Sequence, residues 1–519
     1  MSTTDPIAAL VQGARWNAGQ PLGTAVTITY SFRSSISPGY SLGANGTPAA
    51  SFQSFSDSWR GVTRELLHAI EQVAGVQFVE LPDNADATIQ YGAFAIIGAG
   101  GLASYPNLDS NGKPAGTAGD VWIHTSVING SIRGESTQVV LHETLHALGL
   151  KHPFDGTPDQ QIVAALDHIP YTVMSYGQFE GLMQASLAGL ERPVGRMDMA
   201  PLDIVALQYL YGASKLVTAP GDDVYRFDGS PMLRSIVDSV GTDTIDLSAS
   251  TKSVRIDLHA GATSSPGIWT GDDWIAALVA QGKSASSAAA FVRDPNISIN
   301  LYTGIDTLSI APGSVIENAV GGSNNDTLIG NASDNRLTGN GGNDQLDGGA
   351  GFDTAVFSGA RGGYAITRAA DGSINVAGTD GNDRLQAIEA LQFGDKLVFA
   401  LGGSDATIAR LYAAAFARAP DAAGLAFQLS AVAGGISAQQ IATNFLGSAE
   451  FIARYGTSLS DVAYATALYR NVLGRDPDAG GLAVQVDALA HGTSRATLLL
   501  GFADSPENKA RVEADWLLA

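Results

Sequence analysis

The sequence predicts a multidomain chain: an α+β domain, then a parallel β-roll, then an all-α repeat module. Three observations predict it. Residues 1–215 mix strand-type and helix-type hydrophobic periods, residues 216–403 are rich in Gly, Asp, Asn and Thr, and residues 404–519 turn to Ala/Leu-rich helical patterns. A length of 519 residues also exceeds what one hydrophobic core supports and suggests about three domains at roughly 150 residues each.

In the first part, TAVTITYSF reads as a strand and SFSDSWRGVTRELLHAIEQVAG as an amphipathic helix. VQFVELPDNADATIQYGAFAI reads as two strands around a turn. IGAGGLASYP is expected to be an edge strand along which an extended peptide could pair by main-chain hydrogen bonds, with Ala103, Ser104 and Tyr105 as the candidate substrate-binding residues. GESTQVVLHETLHALGL follows as a helix, with Ser136 as expected N-cap and Gly149 as its stop.

That helix carries the chemistry. Residues four apart share a face, so His142 and His146 can present ring nitrogens to one metal with Glu143 beside them. A left-handed Gly149 would turn the chain back and bring His152 to the same ion. Three neutral imidazoles suit zinc and leave a position open for water, the condition for catalysis. With 8 histidines in 519 residues, a second and third at +4 and +10 from a given one arise by chance roughly once in four thousand trials. His68, His124, His259 and His491 are dispersed singles, and His168 is not needed as a ligand.

The second part holds four contiguous nonapeptides over residues 321–356: GGSNNDTLI, GNASDNRLT, GNGGNDQLD and GGAGFDTAV. They follow G-G-x-G-x-D-x-U-x, with U large and apolar, the pattern of a calcium-binding parallel roll. Six residues make a turn whose glycines let carbonyls face inward, the Asp adds a carboxylate, and three residues form a short strand. Calcium is therefore expected at Asp326, Asp344, Asp353 and the substituted Asn335, with turn carbonyls such as those of Gly342 and Gly351. A flexible linker has no reason to hold Leu328, Leu337 and Leu346 at a period of nine.

The third part contains a duplication. A shift of 57 residues places Leu411-Tyr412 on Leu468-Tyr469, Arg418 on Arg475, Pro420-Asp421 on Pro477-Asp478, and Glu450 on Glu507. These residues read as packing and helix capping, in a module joined at a Gly402-Gly403 hinge with few contacts across it.

The formal net charge of −22, from 51 acidic against 29 basic residues, and the lack of a basic stripe argue against nucleic acid and anionic membranes as partners. There is no cysteine, which excludes disulfides, zinc-thiolate sites and cysteine nucleophiles. MSTTDPIAALVQGARWNAG lacks the basic and apolar regions of a cleaved signal peptide, and no window approaches an uninterrupted run of about 18 apolar residues.

HETLHALGLKH matches H-E-x-x-H-x-x-G-x-x-H, the metzincin pattern, at every fixed position, and YTVMSYG resembles the Met-turn of that family. The Met-Ser-Tyr form, PLDIVALQYLYGA and the roll together look like the serralysins, over about residues 20–400. The resemblance implies a secreted bacterial zinc endopeptidase of the repeats-in-toxin (RTX) class acting on extracellular or surface proteins and exported by type I secretion machinery. It further implies Glu143 as general base, Met174 beneath the metal, and Tyr176 coordinating zinc at rest, then swinging away to hydrogen-bond the tetrahedral intermediate. The terminal repeats resemble an uncharacterised helical family found on secreted bacterial proteins, which suggests binding to cell-surface components. Two features depart from the serralysins: a conventional inhibitory propeptide is not evident, and the stretch between His152 and the Met-turn lacks a Gly/Tyr-rich loop. The rival reading is a catalytically vestigial cell-surface binding or scaffold protein; an inactive descendant would be expected to lose Glu143 or a ligand, and none is lost.

Overall fold

A computed structural model of the chain describes residues 5–37, 39–42, 48–132, 134–176, 181–196 and 198–518. The chain forms two compact units, 1–330 and 331–519.

The first unit begins with the helix α1 (Pro6–Leu10) and a five-stranded sheet. Its strands are β1 (Val26–Phe32), β2 (Val76–Glu80), β3 (Ile89–Phe94), β4 (Gly101–Ala103) and β5 (Asp120–His124), in the order β2-β1-β3-β5-β4. All neighbours run parallel except β4, which lies antiparallel to β5 at the edge. The helix α2 (Asp57–Val73) is capped by Ser56, whose side chain accepts from the Trp59 N–H, and its buried Trp59, Leu66, Leu67 and Ile70 define the single apolar face that the sequence showed. A short α3 (Thr125–Ile128) then leads to α4 (Gly134–Ala147), whose Val140, Leu141 and Leu145 share a core with Ile28, Phe32 and Tyr91 of the sheet. The helix α5 (Pro201–Tyr211) completes this core with Ile204, Leu207 and Leu210.

Ser136 is not the N-cap of α4. The helix already includes Gly134, and the Ser136 hydroxyl donates to the Ser131 carbonyl instead. Its C-terminus does follow the expectation. Gly149 is left-handed at φ +104°, Leu150 N–H reaches the Leu145 carbonyl and Gly149 N–H that of His146, the paired bonds of a Schellman stop. The last carbonyls of the helix are also satisfied, by Trp16 Nε1 on Ala147 and the Tyr211 hydroxyl on Leu148.

Beyond α5 the chain enters three-residue parallel strands. In the first unit Val224–Arg226, Thr244–Asp246 and Asn318–Val320 pair in that order, and Arg255–Asp257 pairs with Thr327–Ile329. This roll is not purely β. Between Thr263–Ser264 and Leu308–Ile310 lie three helices, α6 (Gly271–Ala280), α7 (Ala285–Val292) and α8 (Pro295–Ser298). They correct the expectation of a parallel β-roll throughout residues 216–403; Thr270 and Asp273 form a capping box that starts α6. After the zinc motif, β6 (Met183–Ser186) and β7 (Gly189–Pro193) form an antiparallel hairpin.

In the second unit strands recur every nine residues, at Arg336–Thr338, Gln345–Asp347 and Thr354–Val356. Arg336 pairs with Thr354, eighteen residues on, so alternate nonapeptides fall in opposite sheets. Leu337 and Leu346 point into the space between, as does Leu328 in its own unit. The helical module duplicates itself physically: Arg418 grips Glu450 with two bonds of 2.8 and 3.0 Å, and Arg475 grips Glu507 at 2.7 and 3.1 Å. Asp421 and Asp478 cap equivalent helices through Gly424 and Gly481 N–H. The expected hinge with few contacts is corrected. Phe352 and Phe399 of the roll share one core with Leu411, Tyr412 and Trp516, and the Leu517 backbone bridges to Phe399.

Candidate active site

The three histidines converge. His142 Nε2 lies 3.2 Å and His146 Nε2 3.1 Å from His152 Nε2, all three in one group able to hold a metal ion. Each Nδ1 faces an oxygen: Val173 O at 2.8 Å for His142, Leu150 O at 2.7 Å for His146, and Asp155 Oδ2 at 3.0 Å for His152. The proton of each ring is thereby fixed on Nδ1, and three Nε2 lone pairs point into one small volume with no donor among them. Burial holds His142 down to about 4, and burial with the neighbouring His142 holds His146 down to about 3; burial also lowers His152. All three rings are neutral at neutral pH. Tetrahedral zinc with ligands at 2.0–2.1 Å needs nitrogens about 3.3 Å apart, close to what the rings already adopt.

Glu143 is buried beside this group, and burial pushes its carboxyl up to about 8. Met174 is fully buried in the core of the first unit, and Asp203 holds the turn that contains it. The Asp203 carboxylate accepts from Thr172 Oγ1 at 2.6 Å, Val173 N–H at 2.9 Å and Ala200 N–H at 3.1 Å, and so places the Val173 carbonyl against His142. Tyr176 is 65 % exposed, its ring 5.5 Å from that of His142 and 4.5 Å from that of His152. Phe154 stacks on His152 at 4.9 Å and also meets Tyr176, their ring centres 5.2 Å apart. His168 is outside the trio.

Of the edge-strand residues, Ala103 ends β4 and Tyr105 turns its ring onto His146 at 5.4 Å. Ser104 turns its main chain inward, its N–H to Asp120 O and its carbonyl to Gly119 N–H. The alternation of an antiparallel pair then leaves the N–H and C=O of Gly101 and Ala103 on the free edge. A cavity of about 500 Å³ opens between β4, α4 and the Met-turn, lined by Gly101, Val139, His142, Glu143, Ile169 and Tyr176 among others. No described helix is long and apolar enough to cross a membrane.

The side-chain calcium candidates Asp326, Asn335, Asp344 and Asp353 are all buried. Asp326 accepts from Val254 and Gly322 N–H, Asp353 Oδ1 accepts from Asn335 N–H, and the Asp344 N–H donates to Asp383. Asp353 Oδ2 has no hydrogen-bond partner, and burial pushes the group up to about 7. Asn335 Oδ1 accepts from Asn331 N–H, so this amide closes its own turn. Gly342 and Gly351 are left-handed, at φ +124° and +129°.

Sequence reasoning missed four features. Asp155, Asp203 and Gly101 serve the site through neighbours; Gly101 admits Glu143 because a Cβ there would lie 2.6 Å from Oε1. The fourth is a carboxylate group, Asp223, Asp238 and Asp243, ahead of the nonapeptides, in which Asp243 Oδ2 is buried with no hydrogen-bond partner. The signal was present in GDD and in the D-x-x-G-x-D spacing of residues 238–243.

Parts of the chain resemble known families and proteins. Residues 320–355 match a family described as the RTX calcium-binding nonapeptide repeat, and residues 404–453 and 442–512 match a domain of unknown function, DUF4214. Serralysin G of Dickeya chrysanthemi is 30 % identical over 342 residues, covering 60 % of this chain and 60 % of its own length. Metalloprotease AprA of Pseudomonas entomophila is 31 % identical over 347 residues, 61 % of each. The chain thus spans about three fifths of the relatives it matches. A structure of myroilysin aligns at 14 % identity over 39 % of this chain and 97 % of its own, with a TM-score of 0.22 that adds no weight.

Proposed function

From a chain that is serralysin-like and carries RTX calcium-binding repeats, we propose a secreted zinc endopeptidase that cleaves extracellular or surface proteins. The observation that carries this reading is the convergence of three Nε2 lone pairs whose Nδ1 atoms are each held by an oxygen. Bound zinc supplies a Lewis acid that polarises the scissile carbonyl and acidifies water. Glu143 accepts the water proton at its carboxylate and returns it to the leaving amine. Burial raises the Glu143 carboxyl to about 8, and a zinc ion held by the three histidines would favour its ionised form and so keep Glu143 a base near neutral pH. Gly101 and Ala103 offer free main-chain groups to an extended peptide, and Tyr176, exposed beside His142, hydrogen-bonds the developing oxyanion.

In this reading residues 1–215 cleave, residues 216–403 fold around calcium outside the cell after type I export, and residues 404–519 place the protein at a surface. Asp243, Asp326, Asp344 and Asp353 are calcium ligands. The test is casein hydrolysis by the calcium-saturated chain before and after treatment with a zinc chelator. Activity lost with the metal and restored by one equivalent of zinc is the expected result; hydrolysis indifferent to chelation refutes the proposal.

A further inference from the structure

One wall of the cavity beside His142 and Glu143 is not supported by the five-stranded sheet. Ile169 and Gly195 line that cavity. Ile169, only 3 % exposed, belongs to a separate core cluster with Leu182, Val194, Trp274, Leu278 and Tyr302. The last three belong to the segment of residues 265–307 that interrupts the roll and contains α6, α7 and α8.

The same segment fixes the backbone near β6. Gly181 N–H donates to Ile299 O at 3.0 Å and Met183 N–H to Asn300 O at 2.7 Å. In return Tyr302 N–H donates to Met183 O at 2.8 Å and Thr303 N–H to Gly181 O at 3.0 Å. Val194 N–H bonds Leu182 O at 2.9 Å, which carries the ladder to the residue before Gly195. Trp274 sits under this arrangement, 4 % exposed, with Nε1 donating to Tyr302 O at 2.9 Å. A second tie reaches the Met-turn itself. The Tyr171 hydroxyl donates to Asp306 Oδ2 at 2.6 Å, and Asp306 Oδ1 accepts from Thr263 Oγ1 at 2.9 Å.

We propose that this insertion in the roll is a specificity element of the cleft, and that Trp274 is a positioning residue which sets, through Tyr302, Met183 and Ile169, the room available to a substrate side chain. The inference deepens the peptidase reading and rests on it. The histidines are oriented by Val173, Leu150 and Asp155, none of which belongs to the cluster around Trp274. The wall can therefore shift while the metal ligands stay in place. Removing the indole leaves space into which Ile169 and its neighbours relax, because cores collapse partly around a deletion. The cavity then widens.

The probe is a pair of peptide hydroxamates, one with an isobutyl and one with a naphthylmethyl side chain, titrated into the zinc-loaded, calcium-saturated full chain by calorimetry. Trp274→Ala is expected to raise the affinity ratio of the larger to the smaller inhibitor by about fivefold or more, within the range that one pocket contact controls. Trp274→Phe should return it to within about twofold of wild type, and metal analysis should show one zinc in each. Leu278→Val removes one methylene from the same cluster and should move the ratio the same way if Trp274→Ala does not fold. A ratio unchanged in the folded variants, or both affinities lowered equally, overturns the proposal. Hydroxamates bind whether or not a peptide is cleaved, so the affinity ratio reports on the wall alone, while absent turnover in the wild-type chain refutes the peptidase reading by a separate readout.

Discussion

Gly101→Ala is expected to slow peptide hydrolysis about a hundredfold while leaving the three histidines in place. A Cβ on Gly101 would lie 2.6 Å from Glu143 Oε1 and 2.7 Å from Cδ, and closer still to Cγ. Non-bonded carbon contacts settle near 3.5 Å, so the carboxylate must retreat by about 1 Å or the edge strand must move by as much. Gly101 is not among the residues with positive φ, so alanine adds no backbone strain and the effect is steric alone. A displacement of about 1 Å at a catalytic group costs on the order of a hundredfold in rate. The assay is kcat on a fluorogenic peptide, with zinc content measured on the same sample. The predicted result is one zinc and a kcat lowered about a hundredfold. A variant with normal kcat would show that Glu143 need not stand where Gly101 admits it, and the packing argument would fail.

Asp155→Ala removes the acceptor from His152 Nδ1 and should weaken zinc binding by about 10–100-fold in a competitive chelator titration; unchanged affinity would contradict the orienting role. Calcium removal should reverse the usual pH dependence of the roll. Burial raises Asp353 to about 7 and Asp326 to about 6, above their value near 4 when unfolded, so the folded form holds the extra protons. The calcium-free chain should therefore be more stable at pH 5 than at pH 8 in urea unfolding, and calcium should abolish that slope; greater stability at pH 8 without calcium would contradict it. Trp516→Ala should destabilise the second unit by about 3–5 kcal/mol in calcium-saturated unfolding, because the indole packs on Phe399 of the roll. A loss below about 1 kcal/mol would restore the picture of a loosely hinged module.

The clustering of the three histidines was legible because its main constraint is local. His142 and His146 share a helix face by spacing alone, and Gly149 needs only its own φ to bring His152 back. The roll was legible because Leu328, Leu337 and Leu346 recur at the interval of one turn. What stayed hidden depends on partners distant in sequence. Asp203 looked like an ordinary first-turn helix acid, and its role comes from Thr172 and Val173, about thirty residues earlier. Gly101 reads in the sequence as one glycine of the expected edge strand, and its steric role appears only when Glu143 is placed against it. The helices inside the roll were missed for another reason: the Gly/Asp composition of the whole segment outweighed a local capping box at Thr270 and the run WIAALVA. Ser136 shows the converse error, a good cap residue overtaken by a helix that starts two residues earlier.

The most direct test of the peptidase account is Glu143→Ala in the full-length, calcium-saturated chain, with zinc counted and peptide hydrolysis measured on one preparation. The carboxylate makes no ligand bond in the three-histidine site, so the account predicts one tightly held zinc and hydrolysis lowered by about 10²–10⁴-fold. Hydrolysis at the wild-type rate with zinc in place would contradict it.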